Sequence, residues 1–174
     1  MRCVLLLAAG ERVRLAVYVD RGGVVPTHAE LLDGVARHEE GHLVDRALHM
    51  PLSSHPLRVI KLLGSAGFDP PAVLERLEYR AQLVALCQTE DPRLCLADCL
   101  LMVENAPPAA RAHARGYEDL LDDLIERLDE ELQDDPAAWP RLSAERSLVH
   151  QLHLLKAEEV RELAQGLARD VGLP

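Results

Sequence analysis

The sequence has few aromatic residues, and this scarcity narrows the functions that it can serve. One Trp, one Phe and three Tyr make up only 3% of the 174 residues. Proteins that hold single-stranded nucleic acid stack its bases on aromatic side chains, so such a platform is not expected. The net charge of −10 argues against binding a phosphate backbone or an anionic membrane. We therefore expect neither a nucleic-acid partner nor a membrane partner.

Cysteine is also scarce, and no long apolar run is present. Four cysteines are too few for a disulfide scaffold in a chain of this length. The N-terminal apolar run, residues 3–9, is too short to span a bilayer and lacks the cleavage pattern of a signal peptide. A reduced, cytoplasmic protein is therefore expected.

The length and the apolar content are those of one folded unit. With 174 residues and 48% hydrophobic residues, the chain can bury a core of its own, so we predict a single domain over residues 1–174. The chain begins directly in a strand-like pattern. This beginning would also fit the C-terminal portion of a longer protein.

The first part of the chain predicts β-structure. Residues 2–7 and 13–20 are rich in Val and Leu, and a turn-like segment, residues 9–12, separates them. This pattern predicts a two-stranded β-hairpin within residues 1–25, with a short third strand at residues 24–25. The expected fold class is therefore mainly α with a small N-terminal β-hairpin (α+β).

The remainder of the chain predicts helices, divided into metal-site helices (residues 26–90) and a helical C-terminal part (residues 91–174). Thr27 and Glu30 have the spacing of a capping box, and Asp91 precedes a proline that suits the first helical position. The predicted helices cover residues 28–49, 56–64, 69–88, 91–105, 107–133 and a last region from 143 to 170.

One of these helices contains the pattern H-E-x-x-H, formed by His38, Glu39 and His42. Two His four residues apart lie about 40° from each other around a helix axis, so both imidazoles can face one ion. Glu39 lies beside the pair, where its carboxylate can take a proton from a zinc-bound water. The alternative is a solvated or core pair of histidines. Gly34 and Gly41 disfavour that alternative, because glycine inside a helix calls for a packing reason.

The segment from His38 to His42, followed by Asp45, resembles the active-site helix of zincin metallopeptidases. The resemblance implies a catalytic zinc ion bound by His38 and His42, with Glu39 as the general base. It also implies that the extended segment from Val13 to Val25 is the edge strand that holds the substrate. The metzincin continuation after the second His is absent, so the third ligand must come from elsewhere, as in the gluzincin pattern.

Gluzincins take their third ligand, a Glu, from a following helix. Glu78 lies at the edge of an apolar stripe in the helix predicted for residues 69–88, and the spacing of Glu78 and Ala81 resembles the gluzincin E-x-x-A. A carboxylate near a buried face is costly unless it is paired or bound to a metal. Glu78 is therefore the predicted third ligand. A salt bridge with Arg46 is the structural alternative, and the alternative ligands are Glu75, Asp45 or a residue later in the chain.

Other residues are weaker candidates. His113 and Tyr117, one turn apart, could each donate a hydrogen bond to a tetrahedral oxyanion, as His or Tyr does in many zincins. Of the two, His113 is the predicted catalytic residue, although a solvated or packing role is the more common one. Asp45 either accepts an imidazole N–H or pairs with Arg46 or His49. The remaining pairs are expected to be structural: Cys95 and Cys99 in the core, and His150 and His153.

Together these features predict a zinc-dependent hydrolase that acts on a peptide or protein substrate, most specifically a small metallopeptidase. The alternative is a catalytically inactive zincin-like helical module that binds or scaffolds a partner. If the N-terminal segment cannot supply an edge strand, the alternative gains weight.

Overall fold

The computed structural model describes residues 2–51 and 53–173, with side chains for residues 9–51, 53–108, 110–111 and 113–173. Met1, Leu52 and Pro174 of the predicted domain, and the side chain of Cys3, therefore lie outside the described residues. The α-helices are α1 (Arg2–Asp20), α2 (His28–His49), α3 (Pro56–Ser65), α4 (Pro70–Gln88), α5 (Pro92–Asn105), α6 (Arg111–Asp134) and α7 (Ala157–Asp170). Two 3-10 helices, Pro108–Ala110 and Leu148–Leu154, precede α6 and α7. In the described ranges there is no β-strand.

The predicted N-terminal hairpin is wrong, because the two Val- and Leu-rich segments form one continuous helix, α1. Ala9, Val13 and Val17 recur every four residues and are buried on one face of α1. This face packs against α5 and the second 3-10 helix. The apolar residues therefore follow a helical period rather than the alternation of a strand. Residues 24–25 belong to no strand and no helix.

Glycines account for the misleading turn signals in this region. Gly10 lies inside α1, where a Cβ would come within 3.1 Å of Leu101 Cγ, so its lack of a side chain lets α1 approach α5. Gly22 and Gly23 have φ of 66° and 86°, and their N–H groups donate to the carbonyls of Val19 and Tyr18. This left-handed pair ends α1 in the manner usual for helix C-termini.

The helical predictions after residue 26 are largely confirmed. The Thr27 side chain accepts from the backbone N–H of Glu30, whose carboxylate accepts from the N–H of Thr27, so the capping box is present. Asp91 caps α5 by accepting from the backbone N–H of Arg93. The last region differs: residues 143–147 are irregular, residues 148–154 form a 3-10 helix, and only α7 is an α-helix, which ends at Asp170.

Helix α4 lies at the centre of the packing, against α2, α5, α6 and α7. Nine consecutive residues of α4, from Glu78 to Leu86, are buried. The leucines of α6 form a stripe that is buried against this core, as an amphipathic helix requires; its members are Leu120, Leu121, Leu124, Leu128 and Leu132. Among the described residues, no helix is both long and apolar enough to cross a membrane.

Candidate metal centre

Helices α2 and α4 approach each other unusually closely at Gly41. A Cβ on Gly41 would lie 2.5 Å from the Cα of Ala81 and 3.0 Å from its carbonyl oxygen. Both atoms belong to the backbone, so only glycine permits this crossing. The close contact with the Ala81 backbone is therefore the packing reason that was expected for Gly41. The crossing brings one turn of α2, containing the two histidines, directly beside Glu78 on α4.

The predicted ligand atoms meet at this crossing. His38, His42 and Glu78 each place one candidate ligand atom within 4.8 Å of the others. The Nε2 atoms of the two imidazoles are 3.1 Å apart. Glu78 Oε2 lies 3.3 Å from Nε2 of His38 and 3.7 Å from Nε2 of His42. A single ion between these atoms would have two nitrogen ligands and one oxygen ligand, a set that suits zinc.

Glu78 is buried, and its free oxygen has no good hydrogen bond. Its side chain is only about one-tenth exposed, yet Oε2 forms no hydrogen bond within the described structure. Burial alone would raise the pKa of Glu78, but the neighbouring His38, His113 and His42 outweigh that effect and hold the pKa below its ordinary value. A buried carboxylate oxygen without a hydrogen bond is costly unless a cation compensates it. The donor set therefore fits a metal ion.

Gln82 fixes the orientation of His38. Its amide nitrogen donates to the carbonyl of Cys95 at 3.3 Å, so its amide oxygen faces Nδ1 of His38, at 3.1 Å. In the neutral imidazole, Nδ1 of His38 therefore carries the proton, which leaves Nε2 as the ligand atom toward His42 and Glu78. Ligating histidines in metalloproteins are usually held in this way by a partner on the other ring nitrogen.

Helix α6 closes a further side of the cluster. A Cβ on Gly116 would lie 2.5 Å from the carbonyl oxygen of Glu75 and 2.9 Å from Cβ of Glu78, so glycine again permits a close helix contact. One turn earlier, Nε2 of His113 lies 3.1 Å from Oε2 of Glu78. The His113 ring stacks near that of His38, with centroids 6.2 Å apart and planes 22° apart.

A cavity of about 640 Å³ opens in front of these residues. His38, Glu39, His113 and Tyr117 contribute to its lining, together with apolar residues of α2 and α5. Glu39 itself is exposed, and the described residues include no ion-pair partner for it. Tyr117 is buried, and this burial raises the pKa of its hydroxyl, which therefore stays protonated as a potential donor. The volume lies within the range usual for small-ligand sites.

The alternative candidates lie elsewhere. The Asp45 carboxylate accepts from Nε of Arg80 at 2.8 Å, rather than from an imidazole or from Arg46. Glu75 pairs with Arg115 at 3.1 Å. Cys95 and Cys99 are buried in the hydrophobic core, as expected.

Two residues of the site, Gln82 and Gly116, were not predicted from the sequence. Gln82 lies one helical turn after Glu78 and therefore shares its face of α4. This four-residue spacing could have identified Gln82 from the sequence. Gly116 had no comparable signal, because its function depends on how α6 meets α4.

Comparisons of the chain with models of protein families, with curated proteins and with solved structures gave no match.

Proposed function

We propose that the protein is a zinc-dependent hydrolase, most specifically a small metallopeptidase. The observation that carries the proposal is the convergence of two imidazole nitrogens and one buried carboxylate oxygen within 4.8 Å, beside a cavity that Glu39 also lines. In this proposal His38, His42 and Glu78 hold the metal. Zinc bound there would lower the pKa of a water molecule and polarise the substrate carbonyl.

The side chains of the chain then carry the proton and position the reacting groups. Glu39 accepts a proton from the attacking water as the water oxygen bonds to the carbonyl carbon. It returns that proton to the amine nitrogen as the carbon–nitrogen bond breaks, which balances the hydrolysis. His113 or Tyr117 donates to the carbonyl oxygen while negative charge develops on it.

The substrate class and the compartment are the finer parts of the proposal. The cavity includes Val35, Met102 and Pro107, which favour an apolar group of a peptide or protein substrate. Cys87, Cys95 and Cys99 are free thiols. Free thiols are usual in the reducing cytoplasm, which supports a cytoplasmic location.

The decisive experiment compares Glu39→Gln with the neighbouring Glu40→Gln. Glu40 pairs with Arg37 on the same helix at 2.8 Å and makes no contact with the ligand cluster. Both variants are expected to retain one zinc ion per chain, as measured by elemental analysis. Turnover of a peptide library should fall by about 10²–10⁴-fold only in Glu39→Gln, since the glutamine cannot accept the proton.

Metal occupancy needs its own test. Zinc is expected in the purified protein and should be lost in His42→Ala. If Glu39→Gln keeps wild-type turnover, Glu39 is not the general base. If Glu39→Gln loses zinc, Glu39 is a ligand or a structural residue instead.

A second function, a non-catalytic helical module with a structural metal, is favoured by one observation. The part of the chain that the structure describes contains no strand, so the edge strand that zincins use to hold substrate is missing beside α2. This alternative predicts bound zinc without hydrolysis in the wild-type protein, and unchanged partner binding in Glu39→Gln.

A further inference from the structure

A second cavity, away from the metal centre, gathers positive charge. It has a volume of about 360 Å³ and lies between the end of α2, helix α3, the first half of α4 and the end of α7. Its lining includes the cationic side chains of Arg58 and Lys61 on α3 and of Arg76 and Arg80 on α4. We call it the basic cavity.

Most of the positive charge in the basic cavity is not paired with an acidic side chain. Within the described ranges, Arg58, Lys61 and Arg76 have no ion-pair partner. The acidic residue of the lining, Asp170, already pairs with Arg127 at 3.0 Å. Arg58 and Lys61 are exposed, so the cavity presents cations without a described ion-pair partner to solvent, in a chain whose net charge is −10.

The spacing of the cations along α3 and α4 adds repulsion between neighbouring like charges. Arg58 and Lys61 are three residues apart on α3, and Arg76 and Arg80 are four apart on α4. Like charges at these spacings share a helix face and destabilise the helix. Asp45 already matches the Arg80 charge, so Arg58, Lys61 and Arg76 are the cations left without a described ion-pair partner, and an anion bound among them would be attracted to all three.

Two of the arginines are held in place. Nε of Arg80 donates to Asp45 at 2.8 Å, and its Nη1 donates to the carbonyl of Val171 at 3.0 Å. The guanidinium of Arg76 lies 4.6 Å from the centre of the Tyr79 ring. Groups that are already positioned lose little conformational entropy when a ligand arrives.

We propose that the basic cavity binds a phosphate group, as a phosphate monoester or as inorganic phosphate. The Arg80 charge is matched by Asp45, so about three cations remain, and a single carboxylate would leave most of that charge unmatched. A phosphate monoester carries about −1.5 to −2 and offers three acceptor oxygens to arginine and lysine donors. This proposal is independent of the hydrolase assignment.

The experiment is calorimetric titration of the full-length protein with inorganic phosphate and with O-phosphoserine, at constant ionic strength. The chain has one matched control, because Lys156 is exposed and lies at the start of α7, whereas the cavity touches the end of that helix. A 14-residue helix is about 21 Å long, so the two positions are well separated. Lys61→Gln should weaken binding about tenfold or more, and Lys156→Gln should leave it unchanged.

Five results bear on the proposal. Tighter binding of phosphoserine than of phosphate identifies an ester as the ligand, whereas equal binding identifies the phosphate group itself; either supports the cavity. Equal affinities in Lys61→Gln and Lys156→Gln would overturn it. Citrate binding as tightly as phosphate, or binding only to vesicles of anionic lipid, would also overturn it.

Phosphate can also ligate zinc, so the experiment must distinguish phosphate bound at the metal centre from phosphate bound in the basic cavity. The titration is therefore repeated with His42→Ala. Retained phosphate binding in this variant supports the basic cavity. Its loss would place the phosphate on the metal and refute the proposal, whatever the outcome of the hydrolase test.

Discussion

Replacing Gly41 with alanine tests whether the α2–α4 crossing sets the geometry of the proposed metal centre. The new Cβ would lie 2.5 Å from the Cα of Ala81, whereas ordinary contacts begin at 3.4 Å. Because the opposing atoms are backbone, no side chain can rotate away. The two helices must therefore move apart by about 1 Å, a shift comparable to overpacking a well-filled core.

Two contributions to the free energy of unfolding oppose each other in Gly41→Ala. Alanine favours the helix interior over glycine by about 1 kcal/mol. Overpacking typically costs about 1–3 kcal/mol, and the upper part of that range, about 2–3 kcal/mol, applies here because the opposing Ala81 atoms are backbone. We therefore expect Gly41→Ala to be destabilised by about 1–2 kcal/mol.

The effect on metal binding should exceed the effect on stability. His38 and His42 move with α2, while Glu78 moves with α4, so a separation of about 1 Å divides the ligand set. Metal–ligand distances are restricted to within about ±0.2 Å of their ideal values. Zinc affinity should fall by about 10-fold or more, comparable to the loss of an orienting partner.

The assay is zinc competition with a chromophoric chelator, with thermal unfolding measured in parallel. Gly64→Ala is the matched control, because a Cβ at Gly64 meets nothing within 4 Å. That variant should keep its zinc affinity and gain about 0.5–1 kcal/mol. Wild-type zinc affinity and undiminished stability in Gly41→Ala would refute the close crossing and its role.

Three further outcomes are expected. Removing zinc with a chelator should lower the melting temperature, since metal binding to the folded state alone adds about 2.7 kcal/mol at 100 times its Kd; an unchanged melting curve after verified removal contradicts a bridging site. Gln82→Leu should weaken zinc binding about 10–100-fold, measured against Gln133→Leu on the exposed face of α6. Hydrogen bonds from Arg21 and Thr27 hold the pKa of Glu30 at about 2, below its ordinary 4.5. The stabilisation from Glu30 is thus complete above pH 4.5 and lost as the pH falls toward 2; Glu30→Gln should flatten that part of an acid unfolding curve.

Local signals predicted α2 better than α1. Thr27 and Glu30 satisfy each other within one helical turn, so their spacing alone fixed the start of α2. The sequence offers no comparable capping pattern for α1, and its Val- and Leu-rich segments suit a strand equally well. Gly10 added a turn-like signal. Its lack of a side chain is explained by the close packing of α5, and the sequence alone could not show that α5 lies beside α1.

The residues of the candidate metal centre also differ in how far the sequence alone could predict them. His38, Glu39 and His42 follow from a single helical turn and were predictable as a unit. Glu78 was predictable only as a buried-edge carboxylate, and its distances to the imidazoles depend on the Gly41–Ala81 crossing. The contact of His113 with Glu78 depends on how α6 packs at Gly116, and no periodicity in the sequence encodes that contact.

The Gly41–Ala81 crossing also has an evolutionary consequence. Gly41 is the fourth residue of H-E-x-x-H, and Ala81 is the fourth residue of E-x-x-A, so the two small positions are opposite halves of one contact. A distant relative that keeps this centre should carry small residues at both places, whatever happens to its surface. The joint pattern H-E-x-G-H followed by E-x-x-A in a later helix is therefore a more selective search query than either half alone.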